Sequence, residues 1–188
     1  MASEVQICSI ALMELGQSPI LSFTDTSKGA LLSNAFYALT RNVVLAAHPW
    51  NFAMERASLA REAAVPVWGY AFQYQLPTAP KCLRVWRMNE ETEGLVWKVE
   101  RGKLLTDETT AQVLYIAEVT DPTLFSPLFL EALAARLTAR FAFPVTGSLD
   151  KSKQFYTLYE AKLREARTMD GQEGTPEAWV NDELSRDR

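Results

Sequence analysis

The spacing of apolar positions divides the chain into a helical beginning, an extended middle and a helical end. Ile7, Ala11 and Leu15, with Cys8 and Leu12 beside them, recur at helical spacing and predict a first helix over residues 4–15. Ser3 stands where an N-cap belongs, Gln6 three residues on completes a capping box, and Gly16 is the residue expected just past the end. After a loop holding Ser18, Pro19 and Ser22, a second stripe of Leu32, Ala35, Phe36, Leu39, Val43 and Ala46 predicts a helix over 27–47, capped by Asp25 or Thr26. Lys28, Asn34, Arg41 and Asn42 fall on its other faces. At 3.6 residues per turn this helix has about six turns, enough to span a domain.

The helix stops abruptly in the stretch Arg41-Asn42-Val43-Val44-Leu45-Ala46-Ala47-His48-Pro49-Trp50-Asn51-Phe52-Ala53. Pro49 cannot continue it and pushes His48 out of the α region. Trp50 and Phe52 follow two residues apart and share a face if the chain is extended. Pro49, Trp50 and Phe52 are therefore candidate core anchors, packed where helices meet sheet.

Beyond Pro49 the period changes to two. Trp68, Tyr70, Phe72 and Tyr74 alternate with smaller residues and predict a half-buried strand. Residues 76–80 form a stiff turn, and 82–88 a second strand with Leu83, Val85 and Arg87 on one face and Cys82, Arg84, Trp86 and Met88 on the other. Short strands are expected at 95–99 and 104–105, around Arg101-Gly102. A last strand over 111–119 sets Val113, Tyr115 and Ala117 against Leu114, Ile116 and Glu118. Helical spacing then returns. Pro127 opens a third helix over 127–141, apolar nearly all round and so buried on several sides. Pro144 and Gly147 punctuate, and a fourth helix over 151–169, capped by Ser148 or Asp150, carries Phe155, Leu158, Tyr159, Leu163 and Ala166.

The expected fold is mainly α with an inserted β region, in the α+β class. A four-helix bundle has a small antiparallel sheet between its second and third helices. One domain covers residues 1–169, helical over 1–49 and 122–169 and β-rich over 50–121. Residues 170–188 form an acidic C-terminal tail.

Composition narrows the function classes. The 188 residues are 48% hydrophobic and 22% charged, the balance of one globular domain with a proper core. No apolar run reaches the ~18 residues of a membrane helix. Met1-Ala2-Ser3-Glu4 has no basic region ahead of an apolar stretch, so no secretory signal is expected. Cys8 and Cys82 fall in a helix and a strand and read as small buried apolar residues rather than a disulfide or metal pair. Six acidic and two basic side chains lie in 170–188, which accounts for the whole net charge of −4 and leaves the body neutral. A neutral body with an acidic tail speaks against a DNA-binding surface.

His48 is the only histidine, so a His-pair metal motif is excluded, and its place between a helix end and a proline suits capping better than a catalytic triad. Phosphate-binding glycine loops and nucleophile elbows are missing. Glu90, Glu91 and Glu93 sit together, and Glu118 with Asp121 form a second acidic pair. A glycosidase needs two carboxylates facing each other across a cleft, one with a raised pKa. Three glutamates beside Gly94 read as a solvated turn. Arg84, Trp86 and Arg87 have the composition of a nucleic-acid stacking strand, but the glutamates that follow would repel phosphate. Ala178-Trp179-Val180, with Leu184 four residues on, is the single apolar stretch of the tail, which suits an anchor for a partner's cleft.

One set of motifs is similar to a known family. Ala11-Leu12-Met13-Glu14-Leu15-Gly16, the block from Arg41 to Ala53, Arg56-Ala57-Ser58-Leu59-Ala60, Trp68-Gly69-Tyr70, Leu76-Pro77 and Cys82-Leu83-Arg84-Val85 occur in an order and spacing that resembles the tail tubular protein A family of short-tailed bacteriophages. The resemblance covers most of residues 4–169. It implies a structural, non-enzymatic head-to-tail adaptor of the virion, assembled in the host cytoplasm. Twelve copies form a ring that joins the portal protein to a nozzle similar to tail tubular protein B. The helical part forms the ring, the β-rich part points to the nozzle, and the C-terminal segment, with Trp179, Val180 and Leu184, reaches the portal. DNA passes through the channel without specific binding, and no cofactor, metal or membrane takes part. Two other classes stay open: a cell-wall-cleaving tail enzyme and a DNA-packaging protein.

Overall fold

The computed structural model describes residues 3–89 and 95–173. Glu90, Glu91, Glu93, Trp179, Val180 and Leu184 lie outside the described residues. Helices α1 (Glu4–Met13) and α2 (Lys28–Ala46) come first, and α3 (Pro127–Thr146) and α4 (Leu149–Asp170) last. Between them run β1 (Met54–Ser58), β2 (Phe72–Gln75), β3 (Cys82–Met88), β4 (Trp97–Glu100), β5 (Lys103–Thr106) and β6 (Gln112–Ala117). The class is mixed α+β. The β region is two sheets rather than the one expected, each antiparallel and three-stranded, in the orders β1-β6-β3 and β2-β5-β4.

Serines set the helix starts. Ser3 accepts from the Gln6 amide, Ser27 from Ala30, Ser126 from Phe129 and Ser148 from Lys151, each supplying an acceptor to an otherwise unpaired N–H of the first turn. Ser27 caps α2 in place of Asp25 or Thr26. Asp25 instead closes its own loop, taking the amides of Leu21 and Ser22. α3 continues through Pro144 and ends on Gly147, whose φ of 70° is the left-handed cap that lets α4 begin two residues later.

α3 is the hub of the helical part. Phe129, Leu133, Leu137 and Phe141 are buried on it and join Ile7, Leu12, Val44, Leu45, Trp50 and Leu163 in one core. Ile116 of β6, with Met54 and Leu83, carries that core onto one face of the first sheet. The other face of β6 presents Val113, Tyr115 and Ala117 to a second core shared with Tyr74 and Leu104 of the second sheet and with Val85 and Met88 of β3. β6 is thus covered on both sides, and its alternation is the one read from the sequence. β4 and β5 form a hairpin closed by Arg101-Gly102, with φ of 48° and 76° and Glu100 opposite Lys103, a turn in which both central residues need positive φ.

Three further sequence expectations change here. The faces expected of β3 do not alternate throughout, because register shifts between Cys82 and Arg84 and between Val85 and Arg87 set Leu83 on the first core while Cys82, Val85 and Met88 pack on the second. The strand over 68–74 shrinks to Phe72–Gln75, because Pro66 and Gly69 (φ 89°) hold 65–71 in a loop. The stripe assigned to the buried face of the second helix is not the buried face, with consequences taken up next.

Candidate assembly surfaces

α2 buries Ala30, Ser33, Tyr37, Thr40, Arg41, Val44 and Leu45. The expected stripe is rotated from this face by about one residue. Leu32 and Phe36 are half-buried, while Leu39 is 55% and Val43 40% exposed, and Leu31 on the same side is 61% exposed. Asn34, Ala35 and Ala38 complete the open face. Its only charged neighbours on the helix are Lys28, which donates to the Pro144 carbonyl, and Arg41, which is buried. By contrast α4 sets Asp150, Lys151, Lys153, Glu160, Arg164 and Glu165 toward solvent. A solvent-facing helix ordinarily carries such charges, and an apolar face over several turns without one is the mark of a contact surface.

The inward rotation of α2 is driven by Arg41. Its guanidinium donates to Glu118 at 2.9 Å and Glu4 at 3.5 Å, lies over the Tyr37 ring, and is almost fully buried. Asn42 also donates to Glu118, at 2.8 Å. Burying a guanidinium without partners would be costly, so this cluster fixes which side of α2 faces in. Glu118 therefore has a structural task. The amide of Asn42, together with Arg41, holds its carboxyl below the usual carboxylate range, the reverse of what a general acid needs. Asp121 caps the single turn Pro122–Leu124 through Thr123. Because the folded pKa of Glu118 lies below its unfolded value, its contribution to stability is present above about pH 4.5 and lost as pH falls through the folded pKa. Glu118→Gln should accordingly flatten the acid limb of stability between about pH 3 and 6, measured as urea midpoints. An unchanged limb would contradict this role.

A second apolar surface lies between α1 and α3. A groove of about 260 Å³ there is lined by Ile7, Ile10, Leu130 and Ala134 together with the polar Gln6, Glu14, Glu131 and Lys162. A third is the loop before β2, where Val67 is 98% and Trp68 85% exposed. The loop is braced at its base, since Lys103 and Gln73 hold Glu62 at 2.6 and 2.9 Å, and Asp107 accepts from the Ala71 amide at 2.8 Å.

The anchors behave differently from one another. Trp50 is completely buried, and its indole N–H donates to the Val44 carbonyl at 3.0 Å. It meets Phe129 edge-on at 5.1 Å and stacks on Phe52 at 6.2 Å. Phe52 is half-buried against Phe125 and Phe129. Pro49, half-buried, makes the bend that aims Trp50 back under α2. Arg41, Glu118 and Asp170 are the important residues that apolar periodicity passes over. The signal available was an arginine in the later half of a helix whose other charge, Lys28, stands at its first residue. Among the described residues no three of His, Cys, Asp and Glu converge as metal ligands, and Cys8 and Cys82 are unpaired. A groove of about 380 Å³ beside β1 and β6 is lined by Arg56, Ser58, Asn89 and Gln112 and brings no carboxylate pair together among those residues. No protein-family model matches the chain, and no curated protein matches it in sequence.

Proposed function

We propose that the chain is a structural subunit that assembles head to tail into a ring, the head-to-tail adaptor that its motifs resemble. The uncharged, apolar outer face of α2 carries the reading. A closed ring needs two different patches on each subunit, one to give and one to receive. The α2 face and the groove between α1 and α3 supply two such patches in the helical part. In this reading the helices act as a four-helix bundle forming the ring wall, twelve copies close the ring, and the helical end meets the portal. The loop with Val67 and Trp68 meets the tail nozzle. The work is mechanical and uses no catalytic group or cofactor. A neutral body keeps DNA sliding through the channel, because each cationic phosphate contact would add affinity.

The direct test is to image the purified chain alone and with portal rings of a short-tailed phage by negative stain. Rings that cap the portal support the reading, and a monomer that ignores the portal refutes it. The acidic C-terminal segment is assigned to the portal, with Trp179, Val180 and Leu184 as its apolar contacts. Deleting 175–188 should leave the melting temperature within a few degrees of the full chain and abolish attachment to portal-bearing heads. Undiminished attachment would remove the segment from the mechanism.

A further inference from the structure

We propose that Arg136 and Arg140 are the receiving charges of the contact between subunits, and that they pair with Glu14 and Glu131 of the next copy of the chain. This pairing rests on the adaptor reading and names the groups that orient one subunit on another.

Other arginines around the helical part find acceptors within the subunit. Arg41 holds Glu118 and Glu4, and Arg84 and Arg167 donate to the carbonyls of Ala46 and Ala47. Arg136 and Arg140 are held differently. The Cζ of Arg136 lies 4.6 and 4.8 Å from the ring centroids of Tyr156 and Tyr159 on α4, and that of Arg140 lies 5.5 Å from the ring centroid of Phe36 on α2. Arg136 Nε is buried with no acceptor, and among the described residues neither guanidinium pairs with a carboxylate. The rings attract the cations and fix their planes, but the N–H edges still lack the carboxylate that suits them best. α2 cannot supply one, since it has no acidic residue. Both side chains are half-buried, so each has lost part of its water and is already ordered, which lowers the cost of pairing with another chain. Tyr156 beside them is 42% exposed, and tyrosine and arginine are the residue types on which contact energy concentrates.

Their place on α3 shows where the partner stands. Arg136 and Arg140 are one turn apart and adjoin the uncharged face of α2 through Phe36. Ala134 lines the groove between α1 and α3, and Arg136, two residues on, projects about 200° away from it. The arginines and the groove therefore lie on opposite sides of α3, as the giving and receiving patches of a ring must. The groove carries the complementary charge. Glu14 takes the Thr138 hydroxyl at 2.7 Å and meets no cation among the described residues, while the Glu131 side chain is 60% exposed and reaches Lys162 at 3.5 Å. Set against a second copy, the α2 face covers the apolar floor of the groove and the two arginines meet its two carboxylates.

Sedimentation velocity of the full chain and its charge variants tests this. Arg136→Glu with Arg140→Glu sets like charges face to face and should weaken each contact by about tenfold or more, as should Glu14→Arg with Glu131→Arg. Each pair of changes spoils one patch and leaves the other intact. Mixing the two variants should therefore give a dimer of one copy each that grows no further, and all four changes in one chain should restore rings. Where circular dichroism shows that the Arg136 change unfolds the chain, Arg140→Glu and Glu14→Arg, alone and combined, decide by the same readouts. Undiminished rings in either variant, or no recovery in the combined chain, overturn the pairing and leave the adaptor reading standing. A wild-type chain that stays monomeric even with portal rings overturns both. Rings that survive Glu14→Arg with Glu131→Arg but vanish when 175–188 are deleted would put the acidic C-terminal segment on the arginines instead, and also overturn the pairing.

Discussion

Replacing Leu39 and Val43 by glutamate should turn an assembling chain into a folded monomer. Both side chains already face solvent in the single subunit, so the exchange should leave its stability within about 0.5 kcal/mol. In the proposed ring the same positions would lie against a neighbour, and each contact would bury unpaired carboxylates at a cost on the order of 2–5 kcal/mol. Every 1.4 kcal/mol is a factor of ten in affinity, so each contact weakens at least tenfold. Sedimentation velocity reads the result directly. The expected outcome is a slow, single species with the wild-type circular dichroism spectrum and melting temperature. A double variant that assembles like the wild type would show that the α2 face is not the contact, even if the protein forms rings by another surface.

Trp50→Ala should cost about 3–5 kcal/mol, the usual range for an aromatic truncated in a core. The indole fills the space between Phe129, Phe52 and His48 and bonds back to Val44, so neighbours held on three elements would have to move to close the void. In a domain of this size each kcal/mol corresponds to about 2–4 °C, which places the fall in melting temperature at roughly 6–20 °C. Trp50→Phe keeps most of the volume and loses the N–H bond, worth about 1 kcal/mol. Phe52→Ala should fall between the two, because Phe52 is only half-buried. Thermal melts of the three variants in that order check the assignment. Equal melting temperatures for Trp50→Ala and wild type would refute it.

The helices, the switch to strands after Pro49 and the two faces of β6 could be read from residue spacing, because each follows from local geometry: a proline stop, a period of 3.6, a period of two. The division of the strands into two sheets could not. Pairing is set by contacts distant in sequence, such as Met54 with Ile116 and Phe72 with Thr106, and alternation is blind to partners. The facing of α2 was misread for a different reason. Counting apolar side chains favours the most hydrophobic face, but α2 turns inward the face with small and hydroxyl-bearing residues, on which Arg41 finds Glu118 and Glu4. A stripe more apolar than the face actually buried is what a contact with another chain would leave, and it is the feature on which the proposed assembly rests. Charge patterning places Asp170 in the tail, yet it ends α4 and its partners Asn51 and His48 lie about 120 residues earlier, a distance over which charge patterning carries no signal.

The placement of α3 at the hub of the helical part also governs how the chain comes to be folded. α1 and α2 bury their inner faces chiefly on α3, which begins some 80 residues after α2 ends. At a synthesis rate of roughly 5–20 residues per second, the first two helices wait about 4–16 seconds for their hub to be made. Throughout that interval Ile7, Leu12, Val44 and Leu45 lack the α3 side of their core, while the strands between can already pair with one another. The outer face of α2 stays uncovered even afterwards, so a crowded nascent chain presents two sticky surfaces of different lifetimes. The first disappears when α3 arrives, and in the proposed ring the second would persist until another subunit does.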